Sequence, residues 1–95
     1  MKKKLTATLP DGTTATRTTD HDYTHILAAL RVARCIWVKT ETDLHQERRE
    51  LAQPTWETLS WHGREDLAAK KASTTAANQY TGPLYGDYRI IPVNA

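Results

Sequence analysis

The sequence predicts an α+β fold, a small antiparallel sheet with one main helix at about residues 64–78 packed on it. Three observations carry this. An alternating segment turns at Pro10-Asp11-Gly12 and resumes as a Thr-rich run. Later segments alternate with aromatic and β-branched residues. One Ala-rich stretch opens with acids, which suit the positive end of a helix dipole.

Leu5-Thr6-Ala7-Thr8-Leu9 alternates, and Thr13 to Thr19 continues beyond the turn. Pro10 presets φ for a type I turn, Asp11 suits the next position, and Gly12 supplies the left-handed residue of a three-residue loop. This register pairs Ala7 with Ala15 and Leu5 with Arg17, setting Leu5, Ala7 and Leu9 on one face. Thr19-Asp20-His21-Asp22 reads as a second turn. Tyr23 to Val38 fits two elements. As a helix, Ile26, Leu30, Ala33 and Trp37 form a stripe; as a strand, Ile26, Ala28, Leu30, Val32, Ile36 and Val38 share a face interrupted by Arg34. The preceding hairpin favours a long third strand, because consecutive strands tend to be neighbours.

Residues 40–54 are the most polar stretch, with Glu47, Arg48, Arg49 and Glu50 in a row. Asp43 followed by Gln46 is a capping-box pattern, and Leu44 and Leu51 recur at helical spacing. A short exposed helix or a mobile excursion, closed by Pro54, is expected there. Thr55 to Trp61 alternates as an aromatic fourth strand. The helix that follows carries Glu65 and Asp66 in its first turn and is expected to bury Leu67, Ala68, Ala72 and Ala76. Thr81-Gly82-Pro83 turns the chain into a last strand, Tyr88 to Ile91. Pro92 removes a ladder donor and places that strand near its end or on a sheet edge.

The chain reads as a single domain, 1–95, with a thin core: apolar residues make up 39%, there is no Phe, and the large side chains are three Trp, four Tyr and a modest aliphatic set. Two Trp, one of them Trp61, are expected in that core. A charged fraction of 25% and a net charge of +2 describe a soluble protein and argue against an acidic nucleic-acid mimic. Nucleic-acid binding is the alternative function, not the favoured one. Basic residues recur beside aromatics, but acids are interspersed and no RNP-like or helix-turn-helix pattern occurs. No apolar run reaches membrane-spanning length, and the basic start is not followed by a signal-type apolar segment. Cys35, the one cysteine, fits a reducing cytoplasm.

The chemistry-bearing residue types do not assemble. His21 and His25 are four apart, a zinc-chelating spacing on a helix, but along a strand they lie about 13 Å apart. Cys35 lies among Val32, Ala33, Ile36 and Trp37 and reads as a small buried hydrophobe. Glu65 and Asp66 are explained by the helix start. The four glycines form no phosphate-cradling loop. No catalytic residue, metal or cofactor is expected.

Thr16-Arg17-Thr18-Thr19 leading to Tyr23-Thr24-His25, then Trp61 to Lys70, then Arg89-Ile90-Ile91-Pro92-Val93, resembles a group of small proteins from phages of actinobacteria, the mycobacteriophage-like set. The resemblance implies a phage origin, a place inside the bacterial host cytoplasm and a strand–helix–strand finish. It implies no activity, because the group has none in common. The expected function is that of a non-catalytic interaction protein that binds a host or phage protein. A homodimer through an exposed edge at Ile90 to Val93 is a further candidate. The residues expected to carry binding are Trp37, Trp56, Arg48, Arg49, Arg64, Tyr80 and Tyr85, since exposed aromatics beside Arg make good interface anchors.

Overall fold

A computed structural model describes residues 2–94. Its elements run β1 (Lys3–Thr8), β2 (Thr14–Thr19), β3 (His25–Lys39), β4 (Leu44–His62), α1 (Glu65–Ala77), a 3-10 turn (Gly82–Leu84) and β5 (Tyr85–Pro92). β1 and β2 form one antiparallel sheet, and β4-β3-β5, in that spatial order, form the other. The α+β class is as expected, and within the segment from Tyr23 to Val38 the strand reading holds from His25 onward.

The front hairpin takes the expected register, Leu5 with Arg17 and Ala7 with Ala15. Gly12 holds φ at +90°, where a side chain would be strained. Its N–H donates to the Leu9 carbonyl at 2.9 Å. The Thr13 hydroxyl and N–H both donate to Asp11, which holds that carboxyl below its usual range.

The two sheets join where the chain leaves β5. Thr6 and Asn94 exchange backbone hydrogen bonds of 2.9 and 2.8 Å, so β1 lies beside the tail of β5. Ala7 and Leu9 of the hairpin then pack with Ile26 and Ala28, flanked by Trp56, Trp61, Ile91 and Val93. Alternation along β3 sends Leu27 and Ala29 to the opposite side, toward α1. Leu27, Ala29 and the helix residue Ala68 are all fully buried. Alanine at the centre of each layer lets sheet, helix and hairpin approach closely, which is how a chain without Phe makes a core. Burying Leu5, Ile26 and Leu27 stabilises the fold by about 1.5–3 kcal/mol each.

The buried side of α1 differs from expectation. Ala68 is buried, but Leu67 is 40% exposed and Thr75 takes the second fully covered position. Ala72 is half-buried and Ala76 exposed. Thr75 tolerates burial because its hydroxyl donates back to the Lys71 carbonyl at 2.8 Å, leaving mainly its methyl group to pack.

β3 and β4 outrun the other elements. β5 pairs only with His25 to Arg31; beyond that, Ala33 to Lys39 pair with Glu50 to Leu44 alone. The result is a two-stranded arm about 20 Å long at roughly 3.3 Å per residue. The molecule measures 55 × 24 × 23 Å with a radius of gyration of 15.9 Å, against about 12 Å for a compact chain of this length.

The expected helix or excursion at 40–54 is therefore corrected: residues 40–43 form the arm's turn and the rest is β4. Helical preference of Glu, Arg and Gln is a weak prior. It yields here to pairing with the β-favouring run Val32 to Val38. Pro54 does not end a helix. It falls among the residues between the pairs Arg31↔Thr55 and Ala33↔Glu50, where the ladder is interrupted. Opposite, the register with β5 slips at Gly86, between Leu30↔Asp87 and Arg31↔Tyr85. Val32 thus sits where both ladders slip, at the root of the arm. Its Cγ1 would lie 2.9 Å from any Cβ placed on Gly86.

Candidate functional site

The arm continues the helix-facing side of the sheet beyond the reach of the helix. On β3 this side carries Ala33, Cys35, Trp37 and Lys39, and the residues opposite are Glu50, Arg48, Gln46 and Leu44. The segment Gln79 to Leu84 faces it. Between them lies an open cleft of about 450 Å³, lined among others by Cys35, Gln46, Arg48, Tyr80, Thr81 and Leu84. Tyr80 (72% exposed), Trp37 (66%) and Leu44 (60%) are the most exposed large apolar side chains among the described residues. Tyr80 lines the cleft, while Trp37 and Leu44 extend its arm wall outward.

The loop wall is held by its backbone. Asn78 Oδ1 accepts from the Tyr80 and Thr81 N–H groups at 2.8 and 3.3 Å. Gly82 N–H donates to the Asn78 carbonyl at 2.8 Å, and the Thr81 hydroxyl donates to the Thr75 carbonyl at 2.8 Å. Gly82 is required, since a Cβ there would lie 2.5 Å from the Ala76 carbonyl oxygen. Tyr80 is thus an unpacked ring on a fixed backbone. Such an anchor loses little conformational freedom on binding.

The arm's opposite side is polar. His45 lies 3.1 Å from Asp43 and 3.0 Å from Glu47, which also accepts from Arg49 at 3.0 Å. The His45 hydrogen bond, then that of Arg49, holds the Glu47 carboxyl below its usual range. This solvated chain of groups follows the i, i+2 spacing of one strand face. On the cleft side Arg48 pairs with Glu50 at 3.3 Å.

Of the seven residues singled out in the sequence, the cleft brings together Arg48 and Tyr80, and Trp37 lies further out on the same face of the arm. Arg49 belongs to the arm but to its other face. Trp56 is corrected to a core residue: it sits half-buried opposite Leu30 and packs on the Ile26–Ala28 cluster, as Trp61 does. Arg64 lies at the far end of α1 and pairs with Asp66 at 3.2 Å. Tyr85 is half-buried at the arm's root. It donates to Glu57 at 3.0 Å and accepts from Arg31 at 2.9 Å, while Arg31 also pairs with Glu57 at 3.0 Å. These three side chains tie β3, β4 and β5 together. Burial, then the Glu57 hydrogen bond, raises the Tyr85 pKa.

Cys35 is also corrected. It is exposed on the cleft wall, because its apolar sequence neighbours lie on an arm that no second layer covers. Leu84 was not distinguished in the sequence, and Gln46 was read there only as part of a helix start; the long-range fold brings both to the cleft.

Among the described residues no three His, Cys, Asp or Glu side chains gather as a metal site, and His25 bonds Thr24 at 2.8 Å. One pairing did escape the sequence reading. Ser60 Oγ and His62 Nε2 are 2.6 Å apart on the helix-facing side of β4, beside a cavity of about 290 Å³ lined by His62, Leu67, Lys70, Lys71 and Thr74. Burial, then the Lys71 charge, lowers the His62 pKa. Among the described residues no group hydrogen-bonds His62 Nδ1 to orient the ring, so the pair meets only the first requirement of a nucleophile–base dyad. No helix is long and apolar enough to cross a membrane among the described residues. No family model, curated protein or solved structure matches this chain.

Proposed function

We propose that this chain acts by binding a protein of the host cell or of the phage, through the arm and the loop facing it, without catalysis. The observation that carries this reading is the projecting arm and its cleft: Tyr80 lines the cleft, and Trp37 and Leu44, with Tyr80 the most exposed large apolar side chains described, lie further out on the same face of the arm. An aromatic pair beside Arg48 has the composition of a binding hot spot. The nucleic-acid alternative is weakened by intramolecular pairing of the arginines. Arg31, Arg48, Arg49, Arg64 and Arg89 each hold an acid within 3.3 Å, so much of the arginine charge that phosphates would use is already matched within the chain.

The test is affinity capture from a bacterial lysate with the whole chain and its variants. The reading expects one stoichiometric protein, lost with Trp37→Ala or Tyr80→Ala and kept with Arg64→Ala. Retention of nucleic acid that falls steeply with salt, or capture indifferent to both aromatics, would overturn it.

A further inference from the structure

β5 runs beside β3 only as far as Arg31, then the chain turns off through Tyr85 into the 3-10 turn. Among the described residues, the lane that β5 fills next to the first half of β3 holds no paired strand beside the second half, from Ala33 to Lys39, although the 3-10 turn packs against β3. Across the arm's turn, Thr40 N–H donates to the Asp43 carbonyl at 2.8 Å. Backbone groups alternate along a strand. Those of Val38, Ile36 and Arg34 therefore point to β4, and those of Lys39, Trp37 and Cys35 point into the lane. An added strand would run in line with β5. Half of its side chains would drop toward the cleft, with Cys35 on one wall and Tyr80 and Leu84 on the other, and Trp37 beyond Cys35 on the same face of the arm.

Charge decides what that strand is. The arm's acids, Glu41, Asp43, Glu47 and Glu50, all lie in its turn or on β4, whereas β3 contributes only Arg34 and Lys39. These two cations form no ion pair among the described residues, while Arg48 and Arg49 both do. A second copy pairing through the same edge would set Arg34 and Lys39 of each chain against those of the other, and like charges across paired strands are unfavourable. We infer that the lane receives an extended acidic segment of a partner protein, with apolar residues alternating with Asp or Glu, which pairs with β3 at Cys35, Trp37 and Lys39. This inference rests on the reading of the arm as a binding surface and specifies how that surface is used.

The probe is a blocked octapeptide of alternating Val and Glu, with its Val–Lys counterpart as control. It is added to the whole chain while backbone amide exchange is followed by NMR. The acidic peptide is expected to slow exchange about tenfold at Cys35, Trp37 and Lys39 and to leave Ile36 and Val38, already bonded to β4, unchanged. A double variant, Arg34→Glu with Lys39→Glu, keeps the circular dichroism of the parent and loses about tenfold in affinity for the acidic peptide. Equal binding of the basic peptide, or protection absent from the three lane amides, overturns the inference. So does protection that rises with protein concentration alone, which would identify a second copy as the occupant. If peptide binding fails while lysate capture still depends on Trp37 and Tyr80, the lane is wrong and the binding surface stands. If that dependence also fails, both fall.

Discussion

Gly82→Ala places one methyl group where there is no room. The new Cβ would lie 2.5 Å from the Ala76 carbonyl oxygen and 3.4 Å from its carbon, and Cβ atoms essentially never come closer than 3.0 Å. The loop must therefore lift from the helix by about 0.5 Å or more, since the obstacle is backbone and cannot rotate away. Two bonds hang on that contact: Gly82 N–H to Asn78 O and Thr81 Oγ1 to Thr75 O, both 2.8 Å. Losing them costs about 1–3 kcal/mol in all. Restriction of the unfolded chain by Ala returns about 0.4–1 kcal/mol. The net is a loss of about 1–2 kcal/mol, or a fall in Tm of about 5–15 °C for a domain of this size. Gly63→Ala is the matched control, because its Cβ meets only the Asp22 carbonyl oxygen at 3.6 Å. Thermal unfolding by circular dichroism, with amide exchange at Tyr80 and Thr81, reads both effects. A Gly82→Ala protein as stable as its Gly63→Ala counterpart, with unchanged exchange in the loop, would refute the proposed contact.

Two further predictions concern the tyrosines at the arm's root. Tyr88 Oη is buried and has no hydrogen-bond partner among the described residues, so Tyr88→Phe should leave stability unchanged or raise it by about 1 kcal/mol, measured by urea unfolding; a loss of similar size would show that the hydroxyl is satisfied. Burial raises the pKa of Tyr88, and burial together with Glu57 raises that of Tyr85. Between the unfolded value near 10 and the higher folded value, the native state holds protons that the unfolded chain has released. Stability is then complete below about pH 10 and falls as pH rises through the folded values. Tyr85→Phe combined with Tyr88→Phe should flatten that alkaline loss, followed as Tm against pH with phenolate absorbance as the reporter; an unchanged slope would contradict the assignment.

The front hairpin was legible because its signals are local. Alternation, a Pro-Asp-Gly turn and a left-handed Gly12 lie within about fifteen residues and need no partner. The stretch from Tyr23 to Val38 has apolar residues that suit either period, and the preceding hairpin was the wrong reason for choosing a strand. The hairpin forms its own sheet, and β3 is held by β4 and β5. Residues 44–53 were not legible. Their composition favours a helix weakly, and what makes them a strand is β3, a partner known only once the chain has folded back. The same dependence explains the site. Trp37, Arg48 and Tyr80 stood out by residue type, but nothing local separates Trp56 and Trp61 from an exposed Trp37. Five apart, those two share the core-facing side only through the bulge between Thr58 and Ser60. Cys35 misled for the converse reason. Apolar neighbours in sequence imply burial only where a second layer covers them, and the arm lacks one.

The most direct test is a hydrogen–deuterium exchange footprint of the whole chain, alone and with the partner recovered by capture. The account requires protection confined to Ala33 to Lys39 and Gln79 to Leu84, the two walls of the cleft and the unpaired lane, with β1, β2 and the first turns of α1 unchanged. Protection centred on the front hairpin or on the start of α1, with the arm exchanging as in the free protein, would contradict it.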